Sequence, residues 1–261
     1  MKRKLKLTLE YDGARYCGWQ SQPNGTAIQD ILQQTLERIT KQKTTVIGSG
    51  RTDAGVHAEA QVAHFITESG MKPLEFLKAL NSLLPNDIVI KEVKEVPLEF
   101  HAQMSAVGKI YRYTVLTRDH PSALSYGRCL YTPYPLDLAA MRRGCRYLVG
   151  EHDFTSFRGP NCKAMSPVRT IKKITVWKDG AFIHFQFEGT GFLKYMIRII
   201  MGTLLEVGHG RIPARRVREI LEARDRQQAG PTAQPQGLFL VQVFYGKDNN
   251  GKKKVAEMRK K

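Results

Sequence analysis

The sequence is poor in the residues that build sites from sulfur or metal. Its four cysteines, Cys17, Cys129, Cys145 and Cys162, are widely spaced, with no C-x-x-C pair and no histidines clustered beside them. That spacing argues against a zinc site and against a disulfide scaffold. A Rossmann glycine pattern is missing too, so the usual signature of a dinucleotide cofactor is absent, and no cofactor or metal is expected. No apolar run approaches the roughly 18 residues of a membrane span. The first twelve residues alternate charge with single leucines, unlike the unbroken apolar stretch of a signal peptide. A soluble, cytoplasmic protein is expected. Acids are scarce as well: 24 Asp and Glu stand against 41 Lys and Arg, a formal net charge of +17.

What is present is enough apolar material, 42% of 261 residues, to bury a core of ordinary size. The excess of cations exceeds what solubility needs and points to a polyanionic partner. Part of that charge sits at the end of the chain. Residues 246–261 carry seven cations against Asp248 and Glu257, which reads as a disordered tail that touches phosphate without specificity.

Leu5, Leu7, Leu9 and Tyr11 alternate with Lys6, Thr8 and Glu10, a period of two that predicts a half-buried strand ended by Asp12-Gly13. Thr26 and Gln29 have capping-box spacing, and Ile28, Ile31, Leu32, Leu36 and Ile39 then repeat at helical intervals. Residues 44–47 and 61–66 read as strands around a Gly-rich loop, 74–84 as a helix ending before Pro85, and 88–96 as a strand. The second half predicts strands at 110–116, 170–177, 182–187 and 238–245, with helices at 136–149, 194–207 and 213–223. This order implies an α+β fold of two α/β subdomains sharing a mixed, mainly antiparallel sheet flanked by helices. The expected division is an N-terminal domain over 1–105, a C-terminal domain over 106–246, and the basic tail over 247–261.

The best site candidate is the loop Gly48-Ser49-Gly50-Arg51-Thr52-Asp53-Ala54-Gly55-Val56-His57-Ala58, where three glycines in eight residues let backbone turn sharply and approach a ligand. Asp53 lies two residues after a cation and two before a glycine, a setting suited to an ionised carboxylate presented to substrate. The plain alternative is a turn aspartate that hydrogen-bonds its own backbone. His57, at a strand entry, reads as structural rather than acid-base.

The run from Gly50 to Ala58 resembles the signature of the tRNA pseudouridine synthase A family, and the likeness extends along nearly the whole chain. Tyr11-Asp12-Gly13, Gly18-Trp19-Gln20 and Gln22 resemble the family's opening motif, and Leu80-Asn81 with Leu84-Pro85 its first-domain helix end. Phe100-His101-Ala102, Lys109 and Tyr111-Arg112-Tyr113 resemble the segment that opens its second half. Gly150-Glu151-His152-Asp153-Phe154, Ser156-Phe157 and Arg169-Thr170-Ile171 match further on. Gly191-Phe192-Leu193, Met196, Ile197-Arg198 and Gly202-Thr203-Leu204 resemble the late helix, and Gly237-Leu238 the last strand. One departure is Gln103, which stands where family members commonly carry Arg after Phe-His-Ala; a glutamine hydrogen-bonds without charge.

The resemblance implies a pseudouridine synthase fold and an isomerase that converts uridine to pseudouridine at positions 38, 39 and 40 of the tRNA anticodon arm, as a homodimer contacting one tRNA through both subunits. It makes Asp53 the nucleophile, in a redox-neutral reaction without metal or cofactor. Arg51, two residues away, would stabilise phosphate or fill the space of the displaced base. Tyr111, on an alternating strand, would stack on uracil. Arg198 is singled out by its own setting: in residues 194–207 it interrupts an apolar stripe of Met196, Ile199, Ile200, Thr203, Leu204 and Val207. A guanidinium held partly out of water needs a carboxylate. In the family the matching arginine pairs with the nucleophile, so a contact within about 6 Å that lowers the carboxylate pKa is expected. Trp19 and Gln20 are candidates for RNA contact, and Arg15, Arg158, Lys163, Arg169 and Arg211 form a group of phosphate candidates. Six arginines face three acids between Arg211 and Arg226, which fits either an RNA-facing helix or a solvated one with paired charges.

Two other readings compete. Asp53-Ala54-Gly55 faintly resembles the Asp-Thr-Gly of aspartic proteases, but those need two carboxylates, and no second such triplet exists here. An RNA-binding module of related fold without activity is the other; the intact set of Asp53, Tyr111 and Arg198 speaks against it.

Overall fold

The computed structural model describes residues 1–23 and 25–246; the basic tail expected over 247–261 lies outside the described residues. The fold is α+β. In the first half the elements are β1 (Arg3–Tyr11), α1 (Ile28–Thr40), β2 (Ile47–Gly48), β3 (His57–Thr67), α2 (Pro73–Leu83) and β4 (Ile88–Val96). The second half holds β5 (Ala106–Thr117), β6 (Leu130–Thr132), α3 (Leu138–Arg146), β7 (Gly150–Asp153), β8 (Val168–Asp179), β9 (Phe182–Gly189), α4 (Met196–Gly208), α5 (Arg216–Ala223) and β10 (Leu238–Tyr245).

All ten strands join one sheet with the order β4-β1-β3-β10-β5-β9-β8-β7, to which β2 adds on β3 and β6 on β5. The pairings are antiparallel except β3 with β10 and β5 with β6. Placement of β10 decides the architecture. The last strand runs between β3 and β5, pairing Phe239 with His57 and Leu240 with Ala58 on one side and Leu238 to Tyr245 with β5 on the other. The two halves therefore meet along one strand, directly beneath the Gly-rich loop that precedes β3. Apolar side chains from both halves, from Leu5, Leu7 and Leu9 through Tyr113, Phe185 and Phe187 to Ile199, Ile200 and Leu204, form one continuous buried cluster.

Three local expectations are corrected. The first concerns residues 44–47, of which only Ile47 joins a strand. Side chains of α1 capture the backbone that would have paired, since Gln29 Nε2 donates to the Val46 carbonyl at 2.8 Å and the Val46 N–H donates to Gln33 Oε1 at 3.1 Å. Helix α1 itself is capped one residue later than Thr26, at Ala27, whose N–H donates to Asp30 Oδ2 at 3.3 Å. Gln29 is drawn away to Val46 and cannot close the box. Helix α4 begins at Met196, not 194, because Tyr195 adopts the left-handed conformation, φ 62°, at its start. The short strands β6 and β7 were not predicted.

Helix α4 is fastened to the chain that leads into β10. The Ala233 N–H donates to the Arg198 carbonyl at 3.0 Å, and the Gly230 N–H donates to Thr203 Oγ1 at 2.9 Å. Gly202 faces the same segment so closely that a Cβ there would lie 1.7 Å from the Pro231 carbonyl oxygen. Gly202→Ala should therefore destabilise the fold by about 2–3 kcal/mol, the upper range for overpacking. Urea unfolding monitored by fluorescence checks this, and an unchanged midpoint would contradict the close approach.

Candidate active site

The loop between β2 and β3 sends some side chains into the interior and others toward an open cavity. Ser49 and Thr52 are buried, whereas Arg51 is exposed and Asp53 is half-buried. The inward groups are pinned. Thr52 Oγ1 lies 2.8 Å from the Tyr11 hydroxyl, and Ser49 Oγ donates to Gln61 Oε1 at 2.6 Å. Gln61 Nε2 donates to the Gly50 carbonyl at 3.0 Å, and the Trp19 N–H donates to the Thr52 carbonyl at 3.1 Å. Gly55 closes the turn at φ +75°, a conformation L side chains rarely adopt, and the Val56 N–H donates to the Asp53 carbonyl at 3.1 Å. The Asp53 carboxylate takes no part in this turn. Among the described residues its one hydrogen-bond partner is Arg198, Nη1 to Oδ2 at 3.3 Å, which removes the turn-aspartate alternative.

Arg198 reaches Asp53 from the first turn of α4, 145 positions along the chain. Its Nε donates to the Ala233 carbonyl at 2.8 Å, and its guanidinium lies 5.0 Å from the centre of the Tyr195 ring. Lys194 Nζ sits 5.0 Å from the same ring, so two cations flank one aromatic. The Asp53 and Arg198 side chains are 18% and 13% exposed, little enough to strengthen their attraction and to penalise the charge on each. The expected contact is present, well inside 6 Å, and it pulls the carboxylate pKa down as expected, but burial outweighs that pull. Burial pushes the Asp53 pKa above the ordinary carboxylate value, and the pull of Arg198 and Lys194 in the other direction only partly offsets it.

A cavity of about 990 Å³ opens over this pair. Among the described residues six cations line it, Arg51, Lys109, Lys163, Arg169, Lys194 and Arg198, against Asp53 as the one acid. Such a balance suits a polyanion. Tyr111 also lines it from β5, edge-on to Phe192 with ring centres 5.4 Å apart. Burial, with Tyr11 and Asp53 nearby, holds the Tyr111 phenol protonated far above the ordinary range.

The cavity thus brings together Asp53, Arg51, Tyr111 and Arg198 with Trp19, Gln20, Lys163, Arg169 and Gln103. Trp19 is buried, and a Cβ at Gly48 would meet its indole at 2.4 Å, so it shapes the wall more than it reaches outward. Arg51 Nε donates to Gln20 Oε1 at 3.1 Å. Arg15, Arg158 and Arg211 do not line the cavity. Arg15 pairs with Asp87 at 2.5 Å, Arg211 with Glu206 at 2.8 Å, and Arg158 donates to the Ala164 carbonyl at 2.9 Å. Of the other arginines between 211 and 226, Arg215, Arg216, Arg218 and Arg224 each have a carboxylate within 4 Å, the paired and solvated alternative. The Nδ1 of His57 accepts the Gly13 N–H at 3.1 Å and lies 3.1 Å from Asp12 Oδ1, and its Nε2 lies 2.9 Å from the Gly127 carbonyl, contacts that fit a structural place.

Lys194, Tyr195 and Gln61 escaped sequence reasoning. Lys194 lies outside α4, so its approach to Tyr195 and Arg198 is not a helix-face spacing that the sequence could show. Tyr195 and Gln61 carried no signal either. Because Asp53 is caught between burial and Arg198, its titration is the direct test. Arg198→Met should move the Asp53 carboxyl titration, followed by carbon NMR, to higher pH than in the wild type. A shift to lower pH, or none, would show that the guanidinium does not hold the carboxylate.

Comparison with known proteins places this geometry. The family model described as tRNA pseudouridine synthase matches residues 8–104 and 145–246. A tRNA pseudouridine synthase A of Geobacter sp. (strain M21) is 49% identical over 244 residues, 93% of this chain and 99% of that protein. One from Acetivibrio thermocellus is 45% identical over 93% of this chain and all of that protein, and one from Exiguobacterium sibiricum is 47% identical over 95% and 99%. Matches of this length take in both halves of the sheet, the loop bearing Asp53 and the helix bearing Arg198, and the chain belongs to the tRNA pseudouridine synthase family, whose members are isomerases.

Proposed function

We propose that this protein isomerises uridine to pseudouridine at positions 38, 39 and 40 of the tRNA anticodon stem-loop, with Asp53 as nucleophile and with no cofactor. The observation that carries the reading is the Asp53–Arg198 contact at 3.3 Å on the floor of a cavity with six cations and one acid. A carboxylate destined to attack must be ionised, aimed and shielded, and a guanidinium hydrogen-bonded to one oxygen leaves the other free.

The reaction needs no redox partner. The bond from ribose C1′ to uracil N1 breaks, the base turns, and C1′ bonds to C5; the C5 proton departs while N1 gains one, so atoms and electrons balance within the nucleotide. In this scheme an Asp53 oxygen bonds to the nucleotide as the C1′–N1 bond breaks, the bond to Asp53 breaks in turn as C1′ joins C5 so that the carboxylate is regenerated, and Tyr111 supplies a flat, protonated wall against which uracil turns. A uridine within a stem must first leave its stack, at a cost of a few kcal/mol. Arg51, exposed beside Asp53, is placed to occupy the vacated space, and the remaining cavity cations offset the cost by holding the backbone. A homodimer that contacts one tRNA through both subunits, acting in the cytoplasm, belongs to the same reading.

Asp53→Asn keeps the shape and removes the charge. On unmodified tRNA it should lower the single-turnover rate by about 10⁴-fold or more, on the scale of lost nucleophiles elsewhere, with binding within a few-fold of wild type. Retained turnover would end the assignment of Asp53. Mapping pseudouridine in the product tests the positions: modification outside 38, 39 and 40 would redirect the substrate assignment.

A further inference from the structure

Among the described residues Arg198 is the one cavity cation with a carboxylate within 4 Å; Arg51, Lys163 and Lys194 are exposed to water, which leaves Lys109 and Arg169 as half-buried cations without a charge partner. Arg198 is held by Asp53, Arg51 by Gln20, and Arg169 donates to the Ser166 carbonyl at 2.9 Å. Lys109, on β5, is partly buried and, among the described residues, makes one hydrogen bond, from Nζ to the Ser49 carbonyl at 2.8 Å. No carboxylate lies within 4 Å of it among those residues, and two of its three N–H donors are left over. Its ammonium lies across Gly50, where a Cβ would come within 2.3 Å of Nζ, so the loop is shaped to admit it. Burial alone pushes its pKa down to about 8, with no neighbouring acid pulling it back. A desolvated, unpaired cation is a standing cost to the fold, and one in a cavity is a candidate for function.

Lys109 and Tyr111 are two apart on one strand and so share a face, with their Cα atoms about 6.8 Å apart at roughly 3.4 Å per residue. Both line the cavity. That spacing is on the scale of one nucleotide, with Tyr111 at the base and Lys109 at the backbone. Uracil carries no charge to compensate an ammonium; a phosphodiester does. We infer that Lys109 binds a phosphodiester of the RNA strand next to the uridine that enters over Asp53 and Tyr111. The inference rests on the proposed action on RNA and adds the ligand that fixes where the strand's backbone lies.

The test uses the full chain and an unmodified tRNA transcript, with wild type, Lys109→Met, Lys109→Gln and Lys109→Arg compared by binding across a salt series, single turnover and thermal unfolding. Lys109→Met should bind about tenfold more weakly, the size of one charge-assisted contact. Its slope of log affinity against log salt should be shallower by about one. Its melting temperature should equal or exceed that of wild type, because an unpaired buried charge is gone, and Lys109→Arg should recover the slope. An unchanged slope with a lowered melting temperature in Lys109→Met would overturn the inference and leave Lys109 as a pin for Ser49. Loss of folding in both the Met and the Gln variant would overturn it as well. Wild type that forms pseudouridine while Lys109→Met keeps its slope sinks this inference alone; wild type that neither binds nor modifies tRNA sinks the proposed function with it.

Discussion

The contact between Asp53 and Arg198 is the point on which the two halves of the molecule converge. Asp53 comes from a loop ahead of β3, Arg198 from a helix of the second half, and neither could be placed without β10. The segment that enters β10 is tied to α4 in both directions at Arg198, whose carbonyl accepts from the Ala233 N–H and whose Nε donates to the Ala233 carbonyl. From there the chain runs into the strand that pairs with His57 and Ala58. The guanidinium is therefore referenced to the same strand that seats the loop of its carboxylate. A shift of α4 against the sheet would break several backbone hydrogen bonds before it separated the ion pair.

That pair is a compromise, and its direction is informative. With its folded pKa raised, Asp53 binds a proton more readily in the native state than in the unfolded chain, so the ionised site costs stability at neutral pH and the cost is relieved as pH falls. A protein selected for stability alone would place a neutral side chain there. Tyr195, held at φ 62° between two cations, is a second local cost at the same place. Costs concentrated around one carboxylate mark it as a candidate for chemistry.

Much of the fold was legible because its elements face two environments. β1 alternates from Leu5 to Tyr11, and the apolar period of α1 and α4 marks their buried faces. Where the outcome depended on side chains elsewhere, pattern failed: residues 44–46 look like a strand, but the backbone hydrogen bonds of Val46 go to side chains of α1. β6 and β7, of three and four residues, are too short for any period to show. In the site, Arg198 was readable as a cation inside an apolar stripe, and its partner came from the family resemblance. The direction of the Asp53 pKa was not readable, because it turns on how deeply the loop sits, a property of the assembled sheet. Gln61 was hidden for the same reason, since a buried amide joining Ser49, Gly50 and Tyr11 makes sense only once those three surround it.

The same buried network explains why the loop can carry three glycines without losing its aim. Glycine raises the entropy of the unfolded loop, and a carboxylate on a loose tether would spend little time in an attacking geometry. Here the carbonyls of Ser49, Gly50 and Thr52 each receive a hydrogen bond from outside the loop, from Lys109, Gln61 and Trp19 respectively. Three of the carbonyls that a wandering loop would leave to water are thus held by donors fixed in the sheet or in the wall beside it. The glycines provide the close approach, the surrounding donors remove the freedom, and Asp53 keeps one orientation toward the cavity.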